Sequence, residues 1–140
     1  MEPVSVNNED FTLGGAGNVI NNLVALGAKV SAVGVVGTGV SGKLLLDRLN
    51  GHGVNTQGVI AEQNRPTTKK TRIIAAHQQV LRLDKETTLN ISDETFESVI
   101  RAAEKIMPDI DIVLFSDYGK GLMTEPLISK LTADARSQSK

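Results

Sequence analysis

The chain has 140 residues, enough for one domain or a large piece of one. Lysine and arginine number 15 against 16 aspartate and glutamate, a net charge of -1 that argues against binding nucleic acid or a membrane surface through excess positive charge. The absence of cysteine excludes a disulfide framework, a thiolate metal site and a cysteine nucleophile.

Apolar residues make up 40% of the chain, enough for a core, but aromatics are only 3%, so the core must come from valine, isoleucine, leucine and alanine. The apolar runs are too short to span a bilayer, and the first ten residues are polar and acidic rather than signal-like. The expectation is a cytoplasmic protein with no nucleic-acid or membrane partner.

Val4 and Val6 alternate with polar residues and suggest a short strand. Gly14-Gly15-Ala16-Gly17 then opens a helix over residues 18–26, with Val19, Ile20, Leu23 and Val24 on its apolar face and Gly27 as its stop. Residues 29–36 read as a buried strand. Ser41 is a candidate cap for a helix carrying Leu44, Leu45, Leu46 and Leu49, which ends at Gly51-His52-Gly53.

Residues 58–62 and 71–83 have strand composition with no helix between them. Asn64-Arg65-Pro66 marks a turn, so the two runs predict an antiparallel ribbon set into an α/β chain. Ser92-Asp93-Glu94 starts an amphipathic helix with Phe96, Val99, Ile100, Ala103 and Ile106 at helical spacing and Pro108 after its end. Residues 111–115 read as a second buried strand. Thr124 caps a last helix with Leu127, Ile128 and Leu131, and the polar tail after Ala135 is expected to fray. Strand and helix alternation predicts a parallel sheet covered by helices.

The stretch from Gly37 to Lys43 mimics two phosphate-binding motifs. Gly37, Gly39 and Gly42 match a dinucleotide-binding fingerprint, with Glu62 near the position of its ribose-binding acid, but the strand of Glu62 reads as part of the ribbon. The P-loop pattern fails because Leu44 stands where a magnesium-holding Ser or Thr is needed. A tight turn joining strand to helix is the preferred reading.

The residues with chemistry to offer fall in three places. Gly14 and Gly15 let backbone approach a ligand, and the amide of Asn18 either meets sugar hydroxyls or caps the helix. Lys70 and Arg72 share one face of a strand, where they either clamp an anion such as phosphate or form a solvated edge. Gln78, Arg82 and Asp84 continue that ribbon, with the solvated reading stronger for each. Asp117 and Lys120, in Ser116-Asp117-Tyr118-Gly119-Lys120-Gly121, follow the carboxyl end of an expected strand. There they face a sugar hydroxyl and a phosphate, or pair with each other in a turn. His52 and His77 are isolated, which argues against a metal site.

These motifs resemble the ribokinase-like (PfkB) carbohydrate kinases. Gly14-Gly15-Ala16-Gly17-Asn18, followed by Gly27 and Gly37, is similar to the N-terminal signature of that family. Lys70-Thr71-Arg72, Gln78-Gln79, Leu81-Arg82-Leu83-Asp84 and the loop from Ser116 to Gly121 resemble the heptose 7-phosphate kinases, an activity found alone or as the first domain of a bifunctional ADP-heptose synthase. The resemblance implies a partial ribokinase-like α/β fold over residues 1–140, a parallel sheet with flanking helices plus an antiparallel β lid.

It further implies that Gly14, Gly15, Asn18, Lys70, Arg72, Gln78, Asp117 and Lys120 line a sugar-phosphate pocket, and that the lid makes a homodimer contact. ATP with Mg2+ would phosphorylate the anomeric hydroxyl to give the 1,7-bisphosphate used for lipopolysaccharide core synthesis. The family's first strand and its catalytic-base motif are not found, and Gly121 is the last glycine. The expectation is therefore a lid and sugar-binding portion without a catalytic base or cofactor site, inactive alone. Another sugar kinase of this family, or a non-catalytic assembly module built on the ribbon, are the alternatives.

Overall fold

The computed structural model describes residues 5–140. The elements run α1 (Ala16–Ala25), β1 (Ser31–Gly37), α2 (Val40–Gly51), β2 (Asn55–Glu62), β3 (Lys69–Ala75), β4 (Gln78–Lys85), α3 (Asp93–Ile106) and α4 (Glu125–Ser137), with a short 3-10 turn at Met107–Asp109. The fold is mixed α/β. β1 and β2 form a two-stranded parallel sheet, and β3 and β4 a separate antiparallel ribbon.

Side chains alternate across a strand, so the β1–β2 pair has two faces to cover. On one face Val35 and Ile60 pack against Val99, Ile100 and Ala103 of α3 and Leu127 and Leu131 of α4. On the other, Ala32 and Val59 pack with Leu49, Leu45 and Val54 around α2, joined by Ile20 and Val24 of α1. Val99 and Leu127 are the most deeply buried large side chains, each 1% exposed.

α3 begins as its sequence predicts. The Thr95 N–H donates to Ser92 Oγ at 3.2 Å, and Asp93 and Glu94 sit in the first turn where the helix dipole favours acids. α4 follows Thr124, which makes no side-chain cap, with Pro126 in the first turn. It continues to Ser137 rather than fraying after Ala135.

Four local expectations are corrected. Val4 lies outside the described residues, and Val6 is in irregular chain, 79% exposed. α2 is capped by extended Gly39, so Ser41 lies inside its first turn. β2 belongs to the parallel sheet, Val33 lying opposite Gly58 and Gly37 opposite Glu62, and the ribbon is β3–β4 alone. The error came from treating every β-type run after Gly53 as one antiparallel unit.

Residues 111–115 form no strand, and Ile112 is 80% exposed. A strand is defined by its neighbour's hydrogen bonds, and among the described residues nothing pairs with this run.

Candidate functional site

The Gly-rich turn and the 116–121 loop meet. Gly15, at φ 51, caps α1, and a Cβ built on it stands 3.6 Å from the Tyr118 ring. The helix starts at Ala16, so Asn18 is in its first turn rather than at its cap, and its residue is exposed. Asp117 shapes its own loop, its Oδ1 accepting the Gly119 N–H at 2.8 Å. It does not pair with Lys120.

Lys120 reaches the ribbon instead. Its Nζ lies 2.9 Å from Glu86 Oε1, and Lys70 Nζ lies 3.3 Å from Glu86 Oε2 and 3.1 Å from Asp84 Oδ2. Arg82 also meets Asp84 Oδ2 at 3.1 Å. The register places Lys70 opposite Asp84 and Arg72 opposite Arg82, so these groups share one ribbon face.

The electrostatics follow the contacts. The hydrogen bond to Asp84 and then the nearby Glu86 carboxylate raise the Lys70 ammonium above its ordinary value. The Lys70 hydrogen bond holds Asp84 below its usual range, and the Lys120 hydrogen bond does the same for Glu86. Arg72 is exposed and enters none of the ion pairs among the described residues.

Gln78 is at the far end of the ribbon, opposite Ala75, roughly 17 Å along the strand from the Lys70 position at the usual rise per residue. The structure thus joins Lys70 to Lys120 and Gly15 to Tyr118, next to Asp117. It leaves Gln78 apart.

A second ion pair fixes the base of the ribbon. Arg65 Nε lies 2.8 Å from Glu62 Oε2, with the two side chains 8% and 12% exposed. The Arg65 guanidinium also donates to Leu89 O at 3.0 and 2.6 Å and to Lys120 O at 3.4 Å. Glu62 Oε1 accepts the Ser92 N–H at 2.7 Å. Burial pushes the Glu62 carboxyl up, but bonds from Ser92 and Thr95, with Arg65 beside it, outweigh burial and leave it below its ordinary value. Gly121, at φ 78, completes the junction, because any Cβ there would run into Leu89 O.

Sequence reasoning missed Arg65, taken as a turn residue, and Glu86. The signal for Glu86 was present, because residues 82, 84 and 86 alternate onto one face of β4 and its continuation.

The Gly37–Lys43 stretch is a packed turn. A Cβ on Gly37 would strike Arg65 O, one on Gly42 would strike Gly37 O, and the Gly37 N–H donates to Thr67 Oγ1 at 2.9 Å. Glu62, engaged by Arg65 and Ser92, is not presented to a ribose. The residues present therefore do not build a nucleotide cradle at this turn. Among the described residues no cluster of three or more His, Cys, Asp or Glu side chains is set to hold a metal ion.

An open trough of about 2500 Å3 runs past Val33, Ile112 and Leu114. It is larger than a ligand pocket of ~300–1,000 Å3, and its lining runs on to Gly14, Gly15, Lys70, Arg72, Asp117 and Lys120. Among the described residues no helix is long and apolar enough to cross a membrane.

An α/β chain whose Gly-rich turn, basic ribbon and Asp-Tyr-Gly-Lys loop converge is of the sugar-kinase type. The chain belongs to the pfkB family of carbohydrate kinases, whose profile matches residues 1–140. It is 47% identical over 140 residues to the bifunctional protein HldE of Desulfatibacillum aliphaticivorans, covering 100% of this chain and 29% of that protein. It is 45% identical to HldE of Sulfurimonas denitrificans (91% and 27% of the two chains) and 41% identical to HldE of Wolinella succinogenes (100% and 30%). The chain thus spans less than a third of the length of these relatives. The crystal structure of an uncharacterized sugar kinase from Pyrococcus horikoshii matches 86% of this chain and 52% of its own, with 19% identity and a TM-score of 0.43.

Proposed function

We propose that these residues are the lid and sugar-phosphate-binding portion of a heptose 7-phosphate kinase, which phosphorylates the anomeric hydroxyl. The observation that carries the reading is the 117–121 loop as a hub. One end packs Tyr118 on the Gly-rich turn, and the other holds Lys120 against the ribbon through Glu86.

A sugar phosphate lying over the loop would meet hydroxyl partners at one end, the Asn18 amide and Asp117 carboxylate. At the other it would meet cations, Lys70, Lys120 and exposed Arg72. Gln78 joins only if the ribbon bends toward the loop. Gly14 and Gly15 keep side chains out of the way. The backbone N–H groups and ammonium ions orient the ligand, and the ribbon shields it from water.

The phosphoryl donor of this reading is ATP with Mg2+, and no residue described above is assigned to hold it. The 140-residue chain is accordingly proposed not to turn over alone. Association through the ribbon and a cytoplasmic location belong to the same proposal.

The test is a titration of the 15N-labelled chain with D-glycero-D-manno-heptose 7-phosphate, with fructose 6-phosphate as comparison. The expected result is selective shifts in the amides of 14–18, 70–72 and 117–121, stronger for the heptose. Phosphate transfer by this chain alone would overturn the claim of inactivity. Dispersed spectra that ignore every sugar phosphate would remove the binding claim and favour an assembly role.

A further inference from the structure

Glu86 occupies the place between Lys70 and Lys120 that the sugar-phosphate reading assigns to an anion. Its Oε1 has a good partner in Lys120 Nζ at 2.9 Å. Its Oε2 is shut off from solvent, lies 3.3 Å from Lys70 Nζ and has no hydrogen-bond partner of adequate geometry. One carboxylate thus holds two ammonium groups, one well and one poorly. An enclosed acceptor without a proper hydrogen bond is held at a cost.

Lys70 keeps a second anchor in Asp84 at 3.1 Å, so it stays placed if Glu86 leaves. Glu86 follows the last residue of β4, where the ribbon passes into the irregular chain that leads to α3. Its release would separate the ribbon from the 117–121 loop without breaking either sheet.

Resting on the reading above, we propose that Glu86 is a resident anion that sets ligand specificity. It holds Lys70 and Lys120 together in the free protein and is displaced by the phosphate group of the ligand. A phosphate monoester carries more negative charge than a carboxylate near neutral pH, and three oxygens to share between two ammonium ions. A neutral sugar has nothing with which to displace Glu86. The site then selects phosphorylated over neutral sugars by the cost of opening an internal ion pair as well as by attraction. The ribbon becomes free to move over the ligand only when that charge arrives.

The test compares wild-type chain with Glu86→Gln, Glu86→Asp and Lys120→Gln in amide NMR titrations with inorganic phosphate, fructose and heptose 7-phosphate. Glu86→Gln removes the competing charge and should tighten phosphate binding about three- to tenfold, the range for relief of one or two partly exposed ion pairs. The shifts should centre on residues 70 and 120, and the response to fructose should be unchanged. Lys120→Gln should weaken phosphate binding. Glu86→Asp, which keeps the charge and shortens the reach, should fall between wild type and Glu86→Gln, and it decides the matter if the glutamine variant does not fold.

Phosphate affinity in the Glu86 variants equal to or weaker than wild type overturns the proposal. So does phosphate binding that bypasses Lys70 and Lys120. If heptose 7-phosphate still shifts residues 14–18 while phosphate affinity ignores Glu86, the resident-anion role falls and the sugar reading stands. If the heptose has no effect while Glu86→Gln binds phosphate more tightly at the two lysines, the sugar reading falls and the anion role stands.

Discussion

The parallel pair β1–β2 and the antiparallel pair β3–β4 each have two strands, yet they are held in different ways. The first lies between two helical layers and buries side chains on both faces. The second has every residue of β4 exposed, with Leu81 and Leu83 at 48% and 53%. A free two-stranded hairpin is marginal in water. What ties this one to the body is charge, through Arg65–Glu62 at its base and Lys70–Glu86–Lys120 at its side. Burial is insensitive to salt and pH and difficult to undo locally, whereas partly exposed ion pairs such as Lys70–Glu86–Lys120 are weak and answer to both, the enclosed Arg65–Glu62 pair being the firmer tie. A scaffold built by the first means and a cover attached by the second can respond to a charged ligand without unfolding.

The sharpest break of this contrast is in the core. Leu127 is 1% exposed and touches the cluster shared by α3 and α4. Leu127→Ala should cost about 2–5 kcal/mol and lower the melting temperature of the whole chain. Amides of α3, α4 and the parallel sheet should lose protection together. A loss confined to α4 would mean that the two helical layers do not support one cooperative unit.

Arg65 tests the junction. Arg65→Ala removes its bonds to Leu89 and Lys120 and leaves Glu62 without its cation. The pair lies at the edge of the body, so the expected cost is about 1–3 kcal/mol, short of that for a fully buried pair. The sign of its pH dependence is fixed by the depressed pKa of Glu62. Its contribution is complete above the ordinary carboxylate value of 4.5 and is lost as pH falls through the lower folded value. Melting curves across the acid range should show that loss in wild type and a flatter profile in Arg65→Ala. Identical acid profiles would deny Glu62–Arg65 a part in stability.

The difference between the regions also explains what could be read from the sequence. The α3 face from Phe96 to Ile106 was legible because burial against a core imposes a helical period, and Ser92 announced its start by cap chemistry. The ribbon was legible as alternation, but its boundary was not. β2 has strand composition like β3, and only tertiary pairing assigns it to β1. Residues 111–115 have a buried-strand composition and no partner among the described residues, so composition alone misled.

In the site, the glycine turn, Lys70 and the 117–121 loop stood out individually. Their meeting did not, because it depends on Glu86 and Arg65, ordinary charged residues whose partners lie 34 and 55 positions away along the chain.

The smallest expected effect concerns the far end of the ribbon. Ala76 and His77 form its two-residue turn at φ 48 and 64, a primed geometry that matches strand twist but disfavours side chains with a Cβ. Replacing the pair with Asn-Gly should stabilise the hairpin by about 0.5–1 kcal/mol, because these residues adopt positive φ at lower cost. Hydrogen exchange should slow in β3 and β4 and stay unchanged in β1 and β2. If protection rises in the parallel sheet as well, ribbon and scaffold are one cooperative unit, and the attachment by charge is more rigid than its exposed ion pairs imply. If the ribbon alone gains, its stability is set locally and can be tuned without touching the body, as a cover that moves over a ligand requires.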